Sequence, residues 1–482
     1  MVTTLYWTNT KPVALRWLIS IGITSLIVLR LLDFGFYLAF DRAFNFLRDG
    51  YLIVSAINLL QTGFGQLTAM LVVIIVIALT TAVTWLLSYL LNGLSALGRL
   101  QPKVRLNITV AMLVLTVATI IGERFLPERI VLHSTVMEQL SNNVEASKIS
   151  QQRSAHVHRA VTHTSLGDNV DPRFNALLKH DVVIIFVESY GRSFISNPAF
   201  NPVASDTLQT FADTLKNAQA HVKSSWLKAP VSGGQSWLSH ATLHAGVTIE
   251  KQADYELLVT SKHSSLATIF EQSGWSSMGV VPGIQFHWPE GEWYGFDRLY
   301  TQDDFNYGGK RFGYITMPDQ FTLAHFNEQV QRSDVSVMAT IALLSSHAPW
   351  NELPKKLPWS SIQDGSVYNG SHREERGTSI FDLNGLKHYY TRSIQYTLQV
   401  VSEFIDNYQR DALFIVLGDH QPAAIIGGLG NSMDVPIHVI SKSRHLITRL
   451  PETTWAAGVV PDERVPPTDM AEFSALLMSL YR

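Results

Sequence analysis

A chain of 482 residues with 46% hydrophobic and only 16% charged residues is too long for one ordinary domain and too apolar to be wholly soluble. A net charge of −3, with no block of Lys or Arg, offers nothing that would track a nucleic-acid backbone, so no nucleic-acid partner is expected. The absence of cysteine removes disulfides, thiolate zinc sites and cysteine nucleophiles. A metal ion would have to be held by Asp, Glu, His or hydroxyl oxygen.

Residues 67–91 run without a charged side chain, and about 20 such residues cross the hydrocarbon core of a bilayer. Residues 17–40, which carry Arg30 and Asp33, and residues 106–122 are also long and apolar. Three transmembrane helices are expected, with 52–64 as a fourth span or an interfacial helix, because it is short and holds Asn58, Gln61 and Gly63. Lys11 and Arg16 precede the first span, and Arg99, Lys103 and Arg105 lie between the second and third. The bias of basic residues toward the cytoplasm then puts the N-terminus inside and residues 123 onward outside the cytoplasmic membrane. No small-residue cleavage site follows the first apolar stretch, which reads as a retained anchor. Arg30 and Asp33, three apart on one helix face, either neutralise each other near the interface or serve a function at membrane depth.

The expected organisation is a transmembrane domain over 1–122, a linker over 123–180 and a globular domain over 181–482. The linker is polar and reads as an amphipathic helix along the membrane surface. Its His156, His158 and His163, with His133 earlier, suit either metal binding or a solvated connector. At 182–188 the run Val-Val-Ile-Ile-Phe-Val-Glu is continuous and rich in β-branched residues, the pattern of a strand buried on both faces. Ala412–Leu417 repeats it, and Met278–Val281, Val337–Leu344 and Val435–Ile440 read as further strands. Helical stretches at 205–217, 236–246, 262–273 and 387–408 fall between them. This alternation predicts an α/β domain with a mostly parallel central sheet.

In such sheets the working residues gather beyond the carboxyl ends of the strands. Glu188-Ser189, Ser345-Ser346-His347 and Gly418-Asp419-His420 each follow a predicted strand. Glu188, Asp419 and His420 form a hard oxygen-and-nitrogen set suited to a divalent ion, Mn²⁺ or Zn²⁺, or Mg²⁺. An alcohol bound to such an ion is acidified and becomes a nucleophile. Ser236 supplies that alcohol in Gly233-Gly234-Gln235-Ser236, a glycine turn entering a helix whose N-terminal N–H groups favour negative charge. On its own Ser236 also reads as a simple helix cap.

The set Phe-Val-Glu188-Ser189, Gly-Gly-Gln-Ser236, Ser-Ser-His347-Ala-Pro-Trp350 and Leu-Gly-Asp419-His420-Gln resembles the alkaline phosphatase/sulfatase superfamily. It is most similar to the membrane-bound branch of lipoteichoic acid synthases and related phosphoglycerol and phosphoethanolamine transferases. The resemblance covers residues 180–445 and includes the Tyr389–Tyr396 helix segment. It implies an alkaline phosphatase-like fold, with Glu188, Ser236, Asp419 and His420 as metal ligands, Ser236 also as nucleophile, and His347 as the contact to the substrate phosphate. It further implies transfer of a phosphoglycerol-like or phosphoethanolamine group from a membrane phospholipid donor, through a phosphoserine, to a glycan or lipid acceptor outside the cytoplasm. A phosphodiesterase, phosphatase or sulfatase-like hydrolase using the same residues, or an inactive lipid-binding regulator, are the alternatives.

Three departures from the family pattern bear on the substrate. Ser236-Trp237-Leu238-Ser239-His240 lacks the small third residue and the arginine of the sulfatase motif. No disulfide of the phosphoethanolamine-transferase kind can form. Where the lipoteichoic branch carries an aromatic-x-Arg element after the strand near 281, this chain has Phe286-His287-Trp288-Pro289-Glu290-Gly291-Glu292-Trp293. His287, Trp288, Glu290, Glu292 and Trp293 are expected to line a head-group or acceptor pocket, because aromatics and carboxylates suit a sugar or an amine. Trp350 is a further substrate candidate. His240 and His244, one turn apart, suit packing or a substrate contact. Residues 351–386 read as an insertion or lid.

Overall fold

The computed structural model describes residues 13–53, 56–57, 61, 66–97, 136–163, 174–285, 287–312, 315–350, 352–370, 373–376, 382–430 and 432–482. The expected span 106–122, most of 52–64, and His133 lie outside the described residues. The chain divides into two compact units. One runs to Ile149 apart from Leu38–Asp41, and the other comprises those four residues and Ser150–Arg482.

In the first unit, helices α1 (Val13–Phe40) and α2 (Gln66–Leu97) are each long and apolar enough to cross a membrane. Large side chains such as Leu18, Leu31, Leu67, Ile77 and Trp85 stand exposed along them, which in water would cost stability and in lipid does not. The two helices meet through Thr84, whose hydroxyl donates to Thr24 at 3.0 Å. Asp33 is buried and accepts the Phe44 N–H at 3.0 Å, so part of its role is to hold the turn that follows α1. The same turn carries Arg42 paired to both oxygens of Asp49 at 2.6 and 2.7 Å.

The second unit is built on strands β1 (Asp181–Val187), β2 (His221–Lys228), β3 (Ser276–Val281), β4 (Arg298–Thr301), β5 (Val337–Leu343), β6 (Ala412–Gly418) and β7 (Asp434–Ser441), with two-residue strands β8 (Ala456–Ala457) and β9 (Thr468–Asp469) at the edge. The order is β8-β2-β7-β6-β1-β5-β3-β4, with β9 beside β2. Strands β6, β1, β5, β3 and β4 are mutually parallel, and β7 runs against β6 and β2. The apolar runs build this sheet because alternate residues of one strand serve two layers. Val183, Ile185 and Val187 of β1 enter one core, and Val182, Ile184 and Phe186 enter the other. Helices α5 (Asn201–Asn217), α9 (Asp319–Val330) and α10 (Leu383–Asn407) cover the first face. Helices α8 (Leu266–Gln272) and α11 (Glu472–Leu480) cover the second. The further helices used below are α3 (Val136–His163), α4 (Arg192–Ser196), α6 (Ser236–Ala245) and α7 (Gln252–Val259).

Strand β2 is absent from the sequence reading because His221-Val-Lys-Ser-Ser-Trp-Leu-Lys228 is neither apolar nor alternating. Its central polar groups are buried and satisfied individually. Lys223 donates to Leu450 O at 2.7 Å, Ser225 to Thr454 O at 2.7 Å and Trp226 Nε1 to Asp462 O at 3.1 Å. The linker helix departs from expectation too. Val157 and Val161 of α3 are buried with Leu238, Ala241 and Leu258 of α6 and α7. Arg153 donates to both Glu250 oxygens at 2.6 and 2.5 Å, and Lys251 to Ser150 at 2.7 Å. The part of α3 from Ser150 onward therefore packs on α6 and α7 within the second unit. His156 and His158 are exposed on it and join no group of metal-ligating side chains among the described residues.

The foot of the sheet is fixed by Asp181, 1% exposed, which accepts from Arg410 Nε and Nη2 at 2.7 and 2.9 Å, Tyr408 at 2.8 Å and Val337 N at 2.7 Å. Arg410→Ala leaves that carboxylate buried without its cation. We expect a loss of about 3–5 kcal/mol, read as a lower midpoint in denaturant unfolding with the slope unchanged.

Candidate active site

Parallel pairing of β1 with β6 sets Val187 opposite Gly418, so the next residues, Glu188 and Asp419, leave adjacent strands side by side, about 4.8 Å apart. Gly418 is required there: a Cβ on it would stand 1.8 Å from the Tyr190 carbonyl oxygen. Ser189 turns the chain with a left-handed φ of 59°, a conformation that costs a non-glycine residue about 1 kcal/mol or more. Three bonds hold it. Ser189 N donates to Asp419 Oδ1 at 2.8 Å, its hydroxyl donates to Glu188 Oε1 at 3.0 Å, and Tyr390 OH donates to its carbonyl at 3.0 Å.

The nucleophile turn is placed by the loop after β6. Ser232 bridges Gln421, and Gly233 N donates to Gln421 O at 2.9 Å. Gly234 has φ 145° and Gln235 φ 68°, a reversal that only a glycine-bearing segment makes at low cost. It brings Ser236, the first residue of α6, over the ends of β1 and β6. Ser236 Oγ donates to Glu188 Oε2 at 2.8 Å and lies 3.2 Å from His420 Nε2. His420 Nε2 is 3.2 Å from Glu188 Oε1 and 3.8 Å from Asp419 Oδ1. The structure thus brings the four expected ligands to one point, with ligand atoms of Glu188, Asp419 and His420 within 4.8 Å of one another.

These groups fit a divalent ion chemically. His420 Nδ1 is 2.7 Å from Gln421 O; a proton on Nδ1 satisfies that carbonyl and leaves the Nε2 lone pair for a metal. All three residues are at most 6% exposed, and two carboxylates so placed need compensating positive charge. Without an ion, protons supply it. Burial and then the Glu188 charge push the Asp419 carboxyl up to about 8. Burial opposes charge on His420, yet Asp419 and Glu188 outweigh it and raise the imidazole to about 9. Burial would raise Glu188 as well, but His420 and then His347 hold it well below the usual carboxylate range. Two carboxylates, a neutral imidazole and a serine oxygen balance a dication.

His347 follows β5 and is half-buried, with Nδ1 2.6 Å from Ala348 O. Its loop is pinned on both sides. Ser346 Oγ donates to Glu188 O at 2.6 Å, and Leu344 N and Ser345 N donate to Asp319 Oδ1 at 2.8 and 2.9 Å. Asp319, fully buried and also bonded to Thr397 at 2.7 Å, escapes a sequence reading because a lone Asp opening a helix reads as a surface cap. Trp350 packs within the loop. Its indole is buried, donates to Ser346 O at 2.6 Å and packs edge-on against Tyr390, so it shapes the loop.

The His240/His244 pair divides. His244 is fully buried, with Nε2 3.0 Å from Thr340 Oγ1 and its ring against Tyr294 and Phe296. His240, one turn after Ser236, lies against Phe186 at 4.1 Å, and its buried Nε2 has no hydrogen-bond partner among the described residues. Burial lowers it to about 4, so it is neutral at working pH. Of the loop after β3, His287, Trp288 and Glu292 line a cavity of about 620 Å³. Glu290 does not line it, and Trp293 turns its indole N–H to His263 O at 2.9 Å. The insertion is docked through Gln320, which exchanges bonds of 2.7 and 3.0 Å with Leu357, and through Trp359, bonded to Glu403 at 3.0 Å.

By sequence, no curated protein matches the chain. Its fold is similar to that of a protein in the alkaline phosphatase superfamily from Vibrio parahaemolyticus, at 14% identity over 69% of this chain and 75% of that one, with a TM-score of 0.44. It is also similar to the lipoteichoic acid synthase LtaP from Listeria monocytogenes, at 13% identity over 68% and 78% of the two chains and a TM-score of 0.42. A third similar structure is the integral membrane lipooligosaccharide phosphoethanolamine transferase A from Neisseria meningitidis, at 12% identity over 94% and 83% and a TM-score of 0.47. A family model described as Sulfatase matches residues 181–431, from the first residue of β1 through the Asp419-His420 loop. Because that match covers more than half of its length, the chain belongs to the sulfatase family, within the alkaline phosphatase superfamily.

Proposed function

We propose that this protein is a membrane-anchored phosphotransferase that moves a phosphoglycerol-like or phosphoethanolamine group from a phospholipid donor to a glycan or lipid acceptor outside the cytoplasm. The observation that carries this reading is the Ser236 hydroxyl, 2.8 Å from Glu188 and 3.2 Å from His420 at the open end of a buried ligand set. Helices α1 and α2 support a lipid donor, since they would hold the site close to a bilayer. The Ser236-Trp-Leu-Ser-His240 segment, without the sulfatase arginine, favours phosphate over sulfate.

Glu188, Asp419, His420 and Ser236 would hold a dication, which would supply Lewis acidity to acidify the serine hydroxyl and to offset charge on the phosphate oxygens. The side chains do the rest. Glu188 Oε2 accepts the hydrogen bond of the Ser236 hydroxyl and so turns an oxygen lone pair outward to the donor phosphorus. The Oγ–P bond forms as the P–O bond to the lipid breaks, and the proton released by Ser236 passes to the departing lipid oxygen, so that the lipid leaves as its alcohol. His347 offers a donor to a non-bridging phosphate oxygen. An acceptor hydroxyl then attacks the phosphoserine, and Ser236 Oγ leaves and regains its proton.

Intact-mass analysis of the full-length protein after incubation with phospholipid and Mn²⁺ tests the reading. A phosphoryl adduct localised to Ser236, whose mass identifies the transferred group, is expected. An active preparation that forms no adduct with any lipid would remove the mechanism.

A further inference from the structure

The cavity of about 620 Å³ beyond β3 and β4 contains none of the residues that form the catalytic cluster. Strand β5, which ends near His347, is followed outward by β3 and β4. At about 4.8 Å per strand, the cavity lies roughly 10–15 Å from Glu188 along the same carboxyl edge. Its wall is preformed. Gln302 N donates to Ile284 O at 3.0 Å, Arg311 bridges Gln285 and Gln302 at 3.0 and 2.9 Å, and Thr316 donates to Pro282 O at 2.8 Å. Gly291 lets Trp288 lie close on the turn, since a Cβ there would stand 2.6 Å from the indole.

The lining says which chemistry fits. Phe296 and Leu299 form apolar surface, Trp288 offers a half-exposed indole, and Glu292, Asp303 and Thr301 offer oxygens. Among the described residues no Lys or Arg lines it, and Arg311 behind the wall is engaged by Gln285 and Gln302, so a phosphate or a carboxylate would meet the like charges of Glu292 and Asp303. The volume lies in the range of sites that enclose a drug-sized molecule and far exceeds a single ammonium head group. An aromatic plane beside hydroxyl-accepting carboxylates matches a pyranose, which has one apolar C–H face and a rim of O–H donors.

We propose that this cavity is a carbohydrate subsite that holds a neutral sugar of the acceptor, with a ring on Trp288 and hydroxyls donated to Glu292 and Asp303. The identification of the sugar as acceptor rests on the transferase reading above, whereas the binding itself does not. The offset from Ser236 suits an acceptor whose reactive hydroxyl sits a residue or so away from the ring that is gripped.

The test measures binding of maltotriose, chitotriose and a galactose trisaccharide to the full-length protein in nanodiscs, because sugar-headed detergents would compete. Saturation-transfer NMR is expected to show binding of at least one trisaccharide. Trp288→Ala and, independently, the surface variants Glu292→Gln and Asp303→Asn should each weaken it by about tenfold or more. Ser236→Ala should leave it unchanged. Binding of none of the three sugars, binding indifferent to all three cavity variants, or binding of choline in their place would overturn the proposal. Sugar binding without any Ser236 adduct would leave the subsite standing and defeat the transferase reading, so the two fail separately.

Discussion

Ser236→Ala is expected to reduce turnover of a labelled phospholipid by about four to six orders of magnitude, the loss typical when a covalent nucleophile is deleted, while the melting temperature stays within a degree or two. The geometry separates the two readouts. Ser236 is only half-buried at the start of α6, and its hydroxyl is one of two that reach Glu188; Ser189 Oγ keeps its own 3.0 Å bond when Ser236 is shortened. The helix start is held by Leu238 N bonded to Gln235 O at 2.9 Å and by the Gly233–Gln421 link at 2.9 Å, neither of which uses the serine side chain. Ser236→Thr keeps an oxygen at the same position and should retain measurable turnover. Wild-type turnover in the alanine variant would show that the cluster is not where the reaction occurs, and a matching loss of melting temperature would show that the serine is a helix cap.

The residues of that cluster were legible because their signal is local. A continuous apolar run says strand, the position after it says carboxyl edge, and Glu188, His347 and Asp419-His420 stand at three such edges. What joins them is not local. The alignment of Val187 with Gly418 and the bond from Gly233 to Gln421 are pairings over long chain separation, which no periodicity reveals. Polar residues used for architecture give no such local signal. Ser224 and Ser225 of β2 look like loop residues, yet each hydroxyl is bonded to a carbonyl at 2.6 and 2.7 Å. Trp350 looks like a ligand contact because it follows His347, whereas the half-turn after Ser346 buries it. The linker helix has a weak apolar stripe suited to a surface of any kind, and only the presence of Leu238 and Leu258 opposite Val157 and Val161 selects the protein surface.

Removing the divalent ion should inactivate the enzyme and make its stability depend on pH in a direction that can be worked out. In the ion-free protein the Asp419 carboxyl titrates at about 8 instead of 3.8, so the folded state holds a proton that the unfolded chain has lost between those values. Stability from that group is present below about pH 4 and is lost as the pH rises toward 8. His420, raised from 6.5 to about 9, has the same sign, with its contribution complete below 6.5 and lost by about 9. Glu188, held below its ordinary range, acts oppositely and only at acid pH. Chelated protein should therefore melt progressively lower from pH 6 to pH 9. Protein loaded with Mn²⁺ or Zn²⁺ should not, because the ion replaces those protons, and the gap between the two melting curves should widen across the interval. The same linkage requires that ion uptake at pH 6.5 release protons, which calorimetric titration in two buffers of different ionisation heat counts directly. Saturation at about 100 times the dissociation constant would add about 2.7 kcal/mol. Asp419→Asn removes one of the two proton-holding ligands and should reduce both the proton release and the widening gap while leaving the sheet folded. Ion uptake that releases no proton, or a gap that narrows with rising pH, would mean that the ion binds elsewhere and that Glu188, Asp419 and His420 are a buried charge network without a metal.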